Sequence, residues 1–453
     1  MHRKIKVALI VDEFFGGGGT AYGGYGFLAR NYVARYIPQE DILMDVILGT
    51  GKSSKQVEME QVDGITLYRL PQNDEAALHW LETQNYDVFL SIELTFARVM
   101  QLAKSFERKL VLWIQDPRPW DDWLEIHTVK LFPEVCFYNQ SIYDAVNTWY
   151  IKNKVSFISQ GHFLNDKAKN LYRLWDDVAI RYLPNPVEIP PSMNWKGTKK
   201  NQVLFLGRLE SVKRGWLFCE TAKRLPQYEF FVLGKTTREE AKNAEILAPY
   251  YNLPNLHFVG HVEGEEKNKY LRESKILMNS SIHEALPVSF LEALAHGTVL
   301  VSNRNPEGLT SKFGIWTGQI NGDGFEKVHL FVDAIKDLME DEIRCETLAT
   351  QGYEYVKKVH NIDCFVLDLR EVLRSNVYHE IGSSPYSSTV DKHIRTGPIN
   401  WLTIRKISGK TKYLLFGFIP ILKSTSKGYR FLNIFPISAQ SRLGKLAMKM
   451  NSN

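Results

Sequence analysis

Short apolar runs rich in Val, Ile and Leu alternate with amphipathic stretches along the first 180 residues. Runs at 6–11, 43–48, 65–70, 88–92, 110–114, 135–138 and 155–158 read as strands, and stretches such as 25–36 and 96–106 as helices between them. Buried strands alternating with helices predict a mostly parallel α/β sheet. The pattern breaks at Leu183, where LPNPVEIPPSMNWKGTKKN holds four prolines, as an interdomain linker does. It then resumes, with strands at 203–206, 229–233, 256–258, 276–279 and 299–301 and helices at 215–224, 265–273, 288–296 and 325–339. Two α/β units, 1–185 and 186–376, are expected, and the crevice between them is the expected ligand site. Beyond a helical stretch at 364–373, a Ser-rich spacer and a basic tail make up 377–453.

Composition changes this picture in two places. At 453 residues, 44% hydrophobic and 24% charged, the chain suits two soluble domains with a core each. The net charge of +5 is unevenly spread: from Asp391 onward there are twelve Lys and Arg against one acid, a tail of +11 on a body of −6. A slightly acidic body argues against nucleic acid as a partner and gives the tail a role of its own. The four scattered cysteines form no C-x-x-C pair, so neither a disulfide framework nor a zinc site is expected, and a reducing, cytoplasmic compartment fits. The apolar run after MHRKIK is short and leads into Asp12 and Glu13, which suits a first strand better than a signal peptide.

Candidate chemistry concentrates in NSSIHEALPVSFLEALAHGTVLVS, where Glu284 and Glu292 stand seven residues apart, the first before Pro287 at a strand-to-helix turn. Free amides at such a helix start meet phosphates or sugar hydroxyls. Taken alone, two spaced glutamates read as a solvated helix face. A second element, VLFLGRLESVKRG, places Gly207, Arg208 and then Lys213 just past a strand's carboxyl end, where α/β proteins bind ligands. Two cations there neutralise a diphosphate as it binds and leaves.

These elements together resemble the donor-binding domain of retaining GT-B glycosyltransferases, family 4-like (glycosyl transferases group 1), of the bacterial surface-polysaccharide type. The likeness rests on Gly207-Arg208 with Lys213, on Gly260 in HFVGHV, on Glu284-x7-Glu292 and on Ala295-His296-Gly297. It is tightest over 203–302 and extends to about 1–376. It implies two Rossmann-like domains facing across a cleft, the first (1–185) on the acceptor side and the second (186–376) binding the nucleotide sugar. Arg208 and Lys213 are then expected to grip the donor diphosphate. Glu284 would contact the transferred sugar, Glu292 the nucleotide ribose, and the turn Ala285, Leu286, Pro287 and Val288 would offer amides. That turn departs from the family's glycine-rich segment, which leaves the sugar open. Glycine loops after the first strand approach the donor in the family, which selects Gly23 and Gly24 here. Family members often carry a histidine at the strand end where this chain has Gln115-Asp116. In the loop that follows, Asp116, Arg118, Trp120 and Asp121 are acceptor-side candidates, aromatic rings stacking on sugars and carboxylates binding hydroxyls. His162 reads as a packing histidine.

The chain contains no Asp-x-Asp, so no metal or other cofactor is expected, and the cations would take the metal's part. The resemblance implies a nucleoside-diphosphate sugar as donor and a glycan or lipid-linked glycan as acceptor, in surface polysaccharide or lipopolysaccharide assembly. KYLLFGFIPILK and RFLNIFPISAQSRLGKLAMKM in the tail are too short to span a bilayer. They suit an anionic inner-membrane surface on its cytoplasmic face. A sugar-nucleotide epimerase on the same scaffold and a non-catalytic, membrane-associated glycan-binding protein are the alternatives. A nicotinamide oxidoreductase is disfavoured, because Gly24-x-Gly26-x-x-Ala29 lies too far past the first strand for a dinucleotide fingerprint.

Overall fold

The computed structural model describes residues 4–93, 109–236 and 238–377, together with the backbone of six strands between 390 and 437. The helix expected at 96–106 lies outside the described residues.

The first apolar runs form an eight-stranded sheet ordered β3-β4-β2-β1-β5-β6-β7-β8. Its strands are β1 (Ile5–Ile10), β2 (Ile42–Thr50), β3 (Glu58–Val62), β4 (Ile65–Leu70), β5 (Val88–Ile92), β6 (Lys109–Ile114), β7 (Val155–Ser159) and β8 (Ile180–Tyr182). All neighbours are parallel except the β3–β4 hairpin, whose turn residues Asp63 and Gly64 both hold positive φ, as a tight hairpin demands. β3 is a polar edge strand, which is why periodicity alone does not reveal it. The strand expected at 135–138 does not form. β6 pairs directly with β7, leaving no place in the sheet, and Val135 and Phe137 are exposed.

The second half builds a parallel six-stranded sheet ordered β11-β10-β9-β12-β13-β14. Here β9 is Lys200–Leu206, β10 Glu229–Leu233, β11 Leu256–Gly260, β12 Ser274–Asn279, β13 Val299–Ser302 and β14 Gly314–Trp316. The two sheets, with their helices, belong to one compact unit.

Two segments cross between the domains. Helix α1 (Trp120–Ile126) and the loop after it leave β6, yet Trp123, Ile126, Val129 and Phe132 are buried in the second domain's core, with Phe205, Trp216 and Met278 among others. Polar contacts fasten this arm: Arg304 meets Glu125 at 2.5 Å, and Asp323 accepts from the Lys130 and Leu131 amides. At the other end, helix α2 (Ile362–Ser375) sends Phe365, Leu369, Val372 and Leu373 into the first domain's core. Division by chain order assigns this helix to the second domain; its apolar face packs with the first.

A separate unit holds an antiparallel sheet of β15 (Val390–Arg395), β16 (Asn400–Ile407), β17 (Lys410–Leu415), β18 (Ile419–Thr425), β19 (Gly428–Phe431) and β20 (Phe435–Ile437). Its register sets Arg405, Lys412, Lys423 and Arg430 opposite one another across four strands. The adjacent row is Ile404, Tyr413, Leu422 and Phe431. No helix among the described residues is long and apolar enough to cross a membrane.

Candidate active site in the interdomain cleft

The carboxyl ends of both parallel sheets open onto a cleft of about 1070 Å³. Strand ends β9 and β10 approach closely there: a Cβ on Gly234 would lie 1.9 Å from the Gly207 carbonyl oxygen. Only glycine fits, and the chain is thereby free to turn Arg208 and Lys213 into the cleft.

Lys213 ends a short turn, Ser211–Lys213, and the buried Arg214 that follows anchors it. Arg214 donates to the carbonyls of Ser280, Ser281, Ile320 and Gly322 at 2.7 to 3.2 Å. It therefore ties the Lys213 turn to the segment carrying Glu284. Lys213 Nζ then reaches Glu284 Oε1 at 2.5 Å, and Ser281 Oγ and Asn279 Nδ2 donate to the same oxygen at 2.6 and 3.0 Å. Burial opposes the charge on Glu284, but Lys213 and these hydrogen bonds outweigh it, holding the carboxyl below its usual range. Arg208 lies freer, 3.6 Å from Glu210.

Ala285, Leu286, Pro287 and Val288 line the cleft, as do Gly23, Gly24 and Gly207. Helix α3 (Val288–Ala295) begins there with Pro287 at its cap position and no side chain capping its amides. Glu292, one helix face further on, accepts from Lys267 at 2.5 Å. Gly23 lies against Glu13, whose carboxylate oxygen would be 1.9 Å from an added Cβ and would have to move aside. The Gly16–Gly19 part of the glycine cluster does not reach the cleft lining.

On the first domain's side, Asp116 and Arg118 line the cleft. Asp116 Oδ2 accepts from Arg118 at 2.7 Å and Oδ1 meets His283 Nε2 at 2.8 Å. Burial raises the Asp116 pKa, but Arg118 and His283 outweigh it and hold the carboxyl far below its usual range. Trp120 and Asp121 are not brought to the cleft lining. Trp120 is half-exposed at the start of α1, edge-on to Tyr138, because the buried face of that helix is committed to the second domain's core. His162 stacks on Tyr182 at 4.4 Å, a packing role.

Three groups in the cleft carried no readable sequence signal. Glu93, at the end of β5, is buried and takes hydrogen bonds from the Gln115 and Asp116 amides and from the Tyr172 hydroxyl at 2.6 to 2.8 Å. Burial pushes its pKa up against those bonds. Gln115, Asn185 and Gln160 join through their side-chain amides. His283 stands beside a glutamate that draws all the attention, and its partner is 167 residues away. Among the described residues no group of three or more His, Cys, Asp or Glu is placed to hold a metal.

Residues 192–355 match the family Glycosyl transferases group 1. No curated protein matches the chain in sequence. Among solved structures, sucrose-phosphate synthase from Thermosynechococcus elongatus is similar at TM-score 0.63 and 16% identity, over 82% of this chain and 99% of that one. HepE from Anabaena, in complex with UDP-glucose, is similar at 0.58 and 13%, over 82% and 100% of the two chains. The pneumococcal O-GlcNAc transferase GtfA, in complex with UDP and GlcNAc, follows at 0.59 and 11%, over 83% and 100%. The chain thus has the GT-B fold, and its second domain carries the match to the glycosyl transferases group 1 family.

Proposed function

We propose that the protein is a retaining glycosyltransferase that moves a hexose from a nucleoside-diphosphate donor to a glycan or lipid-linked glycan acceptor. The observation that carries this reading is the partly buried Lys213–Glu284 pair beside Arg208, on the cleft wall of a domain matching the group 1 family. Arg208 and Lys213 supply positive charge where a departing diphosphate develops negative charge. Glu284 keeps a carboxylate for sugar hydroxyls, Glu292 takes the ribose in exchange for part of its Lys267 contact, and the α3 amides face the phosphates. No metal enters this scheme. Structures of HepE and GtfA hold UDP, which makes UDP-sugars the first donors to try.

The same reading places the enzyme in surface polysaccharide or lipopolysaccharide assembly, peripheral to the cytoplasmic face of the membrane through its tail. The twelve Lys and Arg against one acid from Asp391 onward support this, because clustered cations are drawn to an anionic surface.

The experiment is release of nucleoside diphosphate from a panel of UDP-, GDP-, ADP- and dTDP-sugars, with and without a lipid-linked glycan extract. Release that needs the extract and is lost in Glu284→Gln supports transfer and names the donor. Conversion of the sugar without an acceptor points to an epimerase, and absence of donor binding to a glycan-binding protein.

A further inference from the structure

His283 and Glu284 are neighbours in the chain, and each has one polar side-chain atom committed and one open. Glu284 Oε1 takes three donors, whereas Oε2 bonds no described group. His283 Nε2 lies 2.8 Å from Asp116 Oδ1. Asp116 is ionised, so it only accepts, and His283 donates to it through Nε2. Nδ1 bonds no described group, and both residues line the cleft. The site therefore offers two adjacent open atoms, a carboxylate oxygen and an imidazole nitrogen, to a ligand's polar groups.

The Asp116 end of this pair comes from the first domain, and its turn is tied to both domains. Arg118, which fixes Asp116, lies over the Trp123 ring at 5.4 Å, and Trp123 belongs to the arm buried in the second domain's core. Glu93 fixes the other side of the same turn through the Gln115 and Asp116 amides. Asp116 is thus held from both sides where it meets His283.

We infer that His283, oriented by Asp116, reads a hydroxyl of the transferred sugar next to the one read by Glu284. This rests on the transferase reading above. Two neighbouring sugar hydroxyls match the two open atoms, because a hydroxyl both donates and accepts. Asp116 is a positioning residue here, acting through the imidazole.

The test combines a variant with substrate analogues. The full chain and His283→Ala are assayed with the active donor and with analogues of it that each lack one sugar hydroxyl. Binding of the free nucleoside diphosphate, which has no sugar, is measured alongside by calorimetry. His283→Ala is expected to lower kcat/KM roughly tenfold to a hundredfold on the parent donor. On one deoxy analogue, the one lacking the hydroxyl that His283 reads, the loss should shrink to about twofold or less. Nucleotide affinity should stay unchanged, and Asp116→Ala should show the same analogue dependence. An equal loss on every analogue, or a parallel loss of nucleotide affinity, overturns the inference while leaving the transferase reading standing. A wild-type protein that binds no donor at all ends both.

Discussion

Lys213 and Glu284 stand 71 residues apart in the chain and meet at 2.5 Å on the cleft wall. The pair is a store of charge in balance: the lysine keeps the carboxylate ionised, and the carboxylate holds the lysine where a diphosphate is expected. Removing one partner leaves the other partly buried and uncompensated, a penalty that can exceed the net value of the pair. Lys213→Ala is expected to lower the thermal midpoint and abolish turnover. Lys213→Ala with Glu284→Gln should recover most of the stability and none of the activity. Calorimetry with a turnover assay checks this, and a double variant no more stable than Lys213→Ala refutes the balance.

Arg208 contrasts with Lys213. Its only ion pair is the loose 3.6 Å approach to Glu210 among the described residues, so little folding stability rests on it. Arg208→Ala is expected to leave the thermal midpoint within a degree or two and to weaken donor binding about tenfold to a hundredfold, the scale of a charge-assisted phosphate contact. Titration calorimetry with the donor nucleotide decides it. Unchanged affinity removes Arg208 from the diphosphate site.

Gly234 tests the backbone that carries both cations. A methyl group there lands 1.9 Å from the Gly207 carbonyl oxygen, at φ +142°. Neither atom can yield without moving a strand end. Gly234→Ala is expected to cost about 1–3 kcal/mol and to weaken donor binding as Gly207-Arg208 shifts. Chemical denaturation alongside the same titration measures both.

Two buried histidines set an acid limit on stability. Burial lowers the pKa of His360 and of His296 to about 4. Both fold neutral, so the stability they contribute is complete above their ordinary range and is lost as pH falls from about 6.5 through about 4. His360 donates through Nδ1 to the Asn185 carbonyl at 2.7 Å, while its Nε2 is buried without a partner. His360→Asn should therefore flatten the fall in unfolding free energy across that window, measured by denaturant titration at successive pH values. An unchanged slope means His360 does not contribute.

The elements most legible in the sequence are those whose apolar period is undiluted. β4, β5 and β10 begin and end where the runs at 65–70, 88–92 and 229–233 do, as does the helix Gly215–Arg224. Illegible elements lack that contrast. β14 is three residues long, and the helix Glu342–Val359 buries Cys345, Ala349 and Gly352 on a face too small and too mixed to stand out. The run at 135–138 is apolar enough for a strand but finds no free edge, since β6 has already paired with β7.

For the site, local chain order was sufficient for Gly207, Arg208, Lys213, Glu284 and Glu292, because each sits at a strand end or on the helix that follows it. That placement is a property of parallel α/β units: strand direction alone brings every such turn to one edge of the sheet. The sequence by itself thus determined two α/β domains and the cleft lined by Gly23, Gly24, Gly207, Arg208, Lys213, Glu284 and Glu292. Only the tertiary structure decided that Trp123 and Phe132 are core residues of the other domain, that α2 returns to the first sheet, and that Asp116 meets His283. Those pairings join residues far apart in the chain, 167 positions for Asp116 and His283. Nothing in a local period or motif carries them, because they arise from the apolar faces of whole elements competing for a limited number of buried places.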